Sequence, residues 1–384
     1  MRWSKKEVIY QVFVDRFSPA DSSKAKKPIY AGGTLKGITQ HLNYFLDLGV
    51  SALWLTPIYQ GVAYHGYHIT DFMKIDPHFG TLEDLKELIK TFHQYDIKVM
   101  LDFVPNHISS GHPFFQEALH KKTKAFRQWF LFSGQEEYQT FFHFKELPKL
   151  NLDNPATKEY IIDAALYWLS LGIDGFRLDH AIGPSIQFWK SFRKEIKKHH
   201  PHCILIGEVW AEHLPLKDLR TTRTKHQLFR WLAKANNDTF VKDYQEVLDG
   251  CLDFTFNRLL REHILDKKDK EWFARRVVKH YSSFNKSFLL PVFLDNHDMD
   301  RFYYSCTHKE EYKQAVKLLF SQQQPVVIYY GDESGMSQEK SMHEFSEHGD
   351  LQARQPMNWE NMDSELIDYF KELIEKKVKK KSSS

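Results

Sequence analysis

The stretch from Asp174 to Val209, DGFRLDHAIGPSIQFWKSFRKEIKKHHPHCILIGEV, decides the reading of the fold. Two short apolar runs, DGFRLD (174–179) and CILIGEV (203–209), flank an amphipathic segment from Pro184 to His199. Each run is apolar on both faces, as a parallel strand covered by helices must be. The segment between them has helical period and ends in the basic run before Pro201, which breaks the helix there. The 29 residues separating Asp179 from Glu208 match one strand-helix-strand unit. Both runs close on a carboxylate, so the two acids stand at neighbouring strand ends.

Working outward, six more apolar runs recur: 8–14, 50–55, 97–103, 251–256, 288–295 and 325–330. Helical stretches separate most of them, including Leu82 to Tyr95, opened by Thr81, and Thr157 to Leu171. Eight strands alternating with helices predict an α/β fold, a (β/α)8 barrel. A doubly wound sheet is the alternative, but no GxGxxG fingerprint follows the first strand. The barrel is expected over 1–106 and 152–375. Between them the stretch His107 to Asn151 is too long for a simple loop and reads as an inserted lid subdomain. Its aromatics, among them Phe114, Phe115, Trp129 and Phe141, suit a core of its own. The basic run 376–384 reads as a tail that frays in solvent.

A chain of 384 residues is too long for a small binding module, and its 42% hydrophobic and 27% charged content is that of a globular protein. The net charge of +3 excludes a nucleic-acid partner read from charge, and no run approaches a membrane span. No secretory signal opens the chain, so a cytoplasmic location is expected. Cys203, Cys251 and Cys306 are far apart and read as buried thiols rather than metal or redox pairs. The 15% aromatic content is mostly core, with sugar stacking as a second use.

Catalysis in such a barrel sits at the C-terminal strand ends. Asp102, Asp179, Glu208 and Asp298 each close or follow an apolar run there. One alone would read as a solvated strand end; four together point to a site. Two carboxylates on adjacent strands are the apparatus of glycoside hydrolysis, one protonating the leaving oxygen and the other attacking or activating water. Arg177, two residues before Asp179, points to the same side and should hold Asp179 ionised. Glu208, beside Trp210 in a run with few cations, should stay protonated.

The segments DFVPNH (102–107), GFRLDHA (175–181), GEVW (207–210) and FLDNHD (293–298) resemble, in order and strand placement, the four signature segments of the α-amylase superfamily, glycoside hydrolase family 13. VIYQVFVDRF, GVSALWLTPIY (49–59), GYHITDF (66–72) and GDESGM (331–336) agree, and LPKLN (147–151) resembles the segment of neopullulanase and cyclomaltodextrinase relatives. The resemblance covers most of residues 8–360.

It implies a retaining glycosidase acting on α-1,4-glucosidic bonds of starch-derived maltooligosaccharides or cyclodextrins. Asp179 would be the nucleophile, Glu208 the acid and base, and Asp298 the third carboxylate. Arg177 would orient the nucleophile, with Asp102 as its buried partner. His107, His297 and Tyr67 would contact the sugar, and His180 would line the leaving-group side. A 4-α-glucanotransferase, sharing every one of these residues, is the alternative; a noncatalytic barrel is the remote one. No cofactor is required. Asn106 matches a calcium ligand of the family and also matches members without calcium. Ile182 and Gly183 stand where typical members carry Lys-His, and the loop 21–33 lacks the Asp/Asn spacing of a calcium loop, so a structural calcium has weak support. The usual C-terminal β-sandwich and the N-terminal dimerisation domain of neopullulanase relatives are expected to be missing.

Overall fold

Seven strands form one parallel sheet: β1 (Val8–Val12), β2 (Ala52–Leu55), β3 (Lys98–Phe103), β4 (Gly175–Leu178), β5 (Ile204–Gly207), β6 (Gly250–Cys251) and β7 (Val326–Tyr329). This computed structural model describes residues 2–121, 124–210 and 237–379. The strands neighbour one another in the order β6-β5-β4-β3-β2-β1-β7. The apolar run 288–295 fills the remaining place through single parallel bridges, Gly250 with Leu289 and Val292 with Val326. Pro291 lacks the N–H that a longer ladder needs. The flanking bonds still close the ring, with the Cys251 N–H donating to Leu289 O (3.0 Å) and the Val327 N–H to Val292 O (2.8 Å). The fold is the expected (β/α)8 barrel.

Alternation along the strands sorts side chains between two apolar clusters. Ile9, Ala52, Trp54, Met100, Ile204 and Ile206 pack with Leu289, Phe293 and Val327 as the barrel's filled interior. The intervening positions, such as Tyr10, Leu53 and Leu101, join the larger core under the helices. Moving toward the C-terminal ends, the inward positions turn polar: Gln11, Asp102, Arg177 and Glu208 each stand two residues beyond an interior position. Asp179 continues the same face of β4. The fold thus places these groups at the barrel mouth by strand period alone.

Three helices start where the sequence has capping residues. Thr81 and Asp84 form a capping box on Leu82–His93, Asn154 caps Pro155–Ser170, and Ser185 caps Ile186–His199. Two expectations need correction. In the run 251–256 only Cys251 is strand; Asp253 accepts from the Phe256 N–H (2.8 Å) and starts the helix Phe254–Ile264. The last helix is Ser364–Lys379 and runs four residues past its expected end into the basic run. Lys376 and Lys379 pair with Glu372 and Glu375 one turn back, and buried Lys377 donates to Gln322 O (3.1 Å). Residues 380–384 of the expected tail lie outside the described residues. Of the three cysteines read as buried, Cys306 is only partly so.

The excursion between β3 and helix Pro155–Ser170 is tied by bridges of His107 with Lys149 and Phe130 with Leu150. Its aromatics pack on one another, Phe115 with Phe130, Phe132 and Tyr138, and this group is continuous with the barrel's outer core. Phe115 and Phe130 (centroids 4.9 Å apart) belong to the same cluster as the barrel's outer core, and Tyr160 packs against Phe114 and Trp129. A second excursion, the antiparallel ribbon Tyr59–Gly61 with Ile69–Ile75, carries Tyr67 to the mouth. Gly66 in its turn has φ 81°, and a Cβ there would lie 2.1 Å from Pro57 O, so only glycine fits.

Candidate active site

The β3–β4 register sets Asp102 directly beside Arg177. Arg177 Nη1 donates to both Asp102 oxygens (2.7 and 2.9 Å) and to Asp179 Oδ1 (2.9 Å). Its Nη2 lies 2.8 Å from Glu208 Oε2. One buried guanidinium therefore serves three carboxylates on three adjacent strands. This corrects the expectation that Glu208 lacks a cation: the charge reaches it across the sheet from β4, not along its own run. Burial pushes Asp179 well above the usual carboxylate range; Arg177 opposes the shift and Glu208 adds to it. Asp102 is raised for the same reason, against the pull of Arg177. Trp54 Nε1 (3.2 Å) and the Tyr67 hydroxyl (2.9 Å) complete the bonds to Asp102.

His180 sits in the left-handed region (φ 40°), and its backbone N–H donates to Glu208 Oε2 (2.9 Å). Its ring meets Phe141 edge-on at 4.8 Å, while Phe141 stacks on His107 at 4.5 Å. Burial pushes the His107 imidazole down to about 3 and drives His180 well below its ordinary value, with Lys149 adding in both cases. Both rings are neutral hydrogen-bonding groups at neutral pH.

His297 and Tyr67 stack nearly parallel (5.4 Å, 7°). With Gln11 Nε2 donating to His297 Nδ1 (2.8 Å), Nε2 carries the hydrogen and faces Tyr67 Oη (2.7 Å) and Asp298 Oδ2 (3.0 Å). Asp298 also meets a cation, Arg354 Nη2 at 2.7 Å, while Arg354 Nε donates to His297 O (2.8 Å). Asp298 is exposed in the cleft, and His297 and Arg354 hold it well below the usual carboxylate range. The four carboxylates thus fall into two electrostatic settings.

Tyr67, His107, Asp179, His180, Glu208 and Asp298 line one cleft of about 1320 Å³. Asp102, Arg177 and His297 lie buried against them. All nine sequence-derived residues converge. Sequence reasoning passed over Arg354, Gln11, Trp54 and Asn237, which donates to Val209 O (3.2 Å) beside Glu208. Gln11 did carry a signal, a polar residue inside the apolar run VIYQVFV. Arg354 carried none, standing 56 residues from its partner.

The surroundings of Asn106 do not fit a calcium ion. Such an ion takes six to eight oxygens, carboxylates among them. Here the buried Lys149 ammonium donates to Gly183 O (3.1 Å), and a Cβ on Gly183 would lie 2.1 Å from Asn106 Oδ1. Among the described residues no group of three His, Cys, Asp or Glu could hold a metal. A cation is already present, supplied by the excursion itself.

The family description "Alpha amylase, catalytic domain" matches residues 11–371. The chain is 35% identical to "Alpha-amylase 2" of Dictyoglomus thermophilum and 34% identical to a "Cyclomaltodextrinase" of Geobacillus thermopakistaniensis, over 97% of its own length in each case. It spans 63% and 62% of the length of those two proteins. Among solved structures, the α-amylase from Geobacillus thermoleovorans, complexed with acarbose, superposes with a TM-score of 0.80 at 31% identity, over 98% of this chain and 80% of that one. The four signature segments, the barrel and these matches agree: the chain belongs to the α-amylase catalytic-domain family, glycoside hydrolase family 13.

Proposed function

We propose that the protein is a retaining glycoside hydrolase that cleaves α-1,4-glucosidic bonds in maltooligosaccharides or cyclodextrins. The observation that carries this reading is the meeting of Asp179 and Glu208 on one guanidinium in a cleft whose other wall holds Asp298. Glu208 protonates the glycosidic oxygen as Asp179 attacks the anomeric carbon; the C–O bond breaks and a glucosyl ester forms. Glu208, now a carboxylate, takes a proton from water, which displaces Asp179 and restores both groups. Asp298, held ionised by Arg354 and His297, faces the positive charge that develops on the ring. Tyr67, His107 and His297 contact that ring, and His180 lies toward the leaving group. The relatives' names, amylase and cyclomaltodextrinase, support the substrate class, and the relative named "Intracellular maltogenic amylase" in Bacillus subtilis supports a cytoplasmic site of action.

Incubation with maltoheptaose, β-cyclodextrin and pullulan tests the reading. The expected product is the α-anomer, and Asp179→Asn or Glu208→Gln should lower turnover by orders of magnitude with the melting temperature kept. A β-anomer, or near-normal activity in either variant, overturns it. An added sugar acceptor reports whether water or a second sugar resolves the ester.

A further inference from the structure

The segment after β7 returns over the barrel mouth before the last helix begins, and its middle part is built rather than slack. Asp300, two residues past Asp298, accepts from Gln338 Nε2 (2.6 Å), Ser341 Oγ (2.6 Å) and the Met342 N–H (2.8 Å). The Arg301 N–H donates to Gln338 Oε1 (2.7 Å). Ser341 and Glu344 form a capping box on the short turn Met342–Glu344. At the far end Asp350 pairs with Arg354 and accepts from Tyr64 Oη (3.2 Å). Both ends of the loop are therefore fastened to groups that grip or adjoin Asp298.

Between those anchors His343, Ser346, Glu347 and His348 line the same cleft as Asp179 and Glu208, and all four are exposed. Among the described residues their side chains make no hydrogen bond or ion pair within the protein. His348 is held in the left-handed region (φ 56°), a conformation a histidine adopts at a cost. A loop anchored at both ends that presents several exposed hydrogen-bonding side chains to a cleft is suited to a ligand rich in hydroxyls.

The position around the barrel says which part of that ligand it meets. On the hydrolase reading given above, from which this inference follows, the leaving sugar lies beside Glu208 on β5 and His180 after β4. In the sheet order β7 stands on the far side of the ring from β4, so its loop borders the opposite end of the cleft, upstream of the sugar bonded to Asp179. We propose that the loop from Gln338 to Asp350 is the end wall of the glycone side. Its side chains His343, Glu347 and His348 hold the non-reducing end of a maltooligosaccharide and fix how many glucose units fit before the cleaved bond. The preferred substrates are then chain ends and short oligosaccharides.

The variant His343→Ala/Glu347→Ala/His348→Gly removes the three contacts and leaves every Asp300 anchor in place. Reducing-end-labelled maltoheptaose gives the frequency of cleavage at each bond. In the wild type, cleavage should concentrate at one or two bonds near the non-reducing end. In the variant it should spread inward several-fold, with maltotetraose binding weakened by ~10-fold in calorimetry. Glu347→Ala alone should move both readouts in the same direction and guards against an unfolded triple variant. Even cleavage by the wild type, or an unchanged pattern and affinity in the variants, overturns the inference. A wild type that binds maltotetraose through these residues without cutting any bond supports the wall and overturns only the hydrolase reading.

Discussion

Replacing His280 removes a buried charge whose effect on stability has a defined pH signature. The ring is 3% exposed, with Nδ1 2.9 Å from Asp238 Oδ1 and Nε2 3.0 Å from Asp253. Both nitrogens face carboxylates, so both carry hydrogen and the ring is an imidazolium. Thr255 adds a bond to Asp238 (2.7 Å), and the helix-capping role of Asp253 fixes the other partner. Tyr281 and Cys251 face Asp253, and Lys242 acts on Asp238. Burial opposes the charge, but Asp253 and Asp238 outweigh it and raise the group from 6.5 to about 10. A raised pKa in the folded state means the folded protein binds this proton more tightly than the unfolded chain does. The stabilisation is therefore complete below about pH 6.5 and is lost as pH climbs through about 10. A tenfold gain in proton affinity is worth about 1.4 kcal/mol, so the whole rise contributes at most about 5 kcal/mol. Urea unfolding of wild type and His280→Gln from pH 6 to pH 10 checks this. The gap between them should be largest near pH 6 and should close steadily toward pH 10. A gap that stays constant across the range would refute the imidazolium assignment. Asn237, next to Asp238, holds the carbonyl beside Glu208, so turnover should fall with the same substitution.

Two further outcomes follow from contacts that sequence reasoning missed. Arg354→Ala strips Asp298 of its guanidinium and frees the His297 carbonyl, and should lower kcat/KM on maltoheptaose by ~100-fold. Arg354→Lys should recover only part of this, because one ammonium nitrogen cannot stand where Nε, Nη1 and Nη2 each meet a different partner; a loss under threefold for the alanine variant would mean that Asp298 works unaided. Because Lys149 already supplies a cation beside Gly183, chelator should leave both melting temperature and activity unchanged. Lys149→Met should lower the melting temperature, and added calcium should not restore it; restoration by calcium would show a metal site that the present donors do not suggest.

Strands β3, β4 and β5 were legible because a strand with a period of two, buried on both faces, leaves a continuous apolar run, and each ends on an acid. The run 288–295 looked the same on paper, but Pro291 limits it to single bridges. FTF in 254–256 reads as strand by composition, whereas Asp253 three residues before the Phe256 N–H makes it the first turn of a helix. The continuation of the last helix lay in the i,i+4 pairing of Glu372 and Glu375 with lysines, a signal hidden by the look of a basic tail. Partners across strands were the least legible. Chain spacing tells that Arg177 and Asp179 share a face, but not that the second nitrogen of the same guanidinium reaches the next strand.

That shared guanidinium makes one electrostatic unit of three carboxylates. Asp102 binds it with both oxygens and takes two more donors. Asp179 receives a single bond from the same nitrogen, and burial with Glu208 beside it raises it well above the usual carboxylate range. On the hydrolase reading proposed above, Asp179 has to attack as an anion, so the bound substrate would have to offset that rise. Asp298 stands outside this unit because Arg354 and His297 hold it well below the usual carboxylate range.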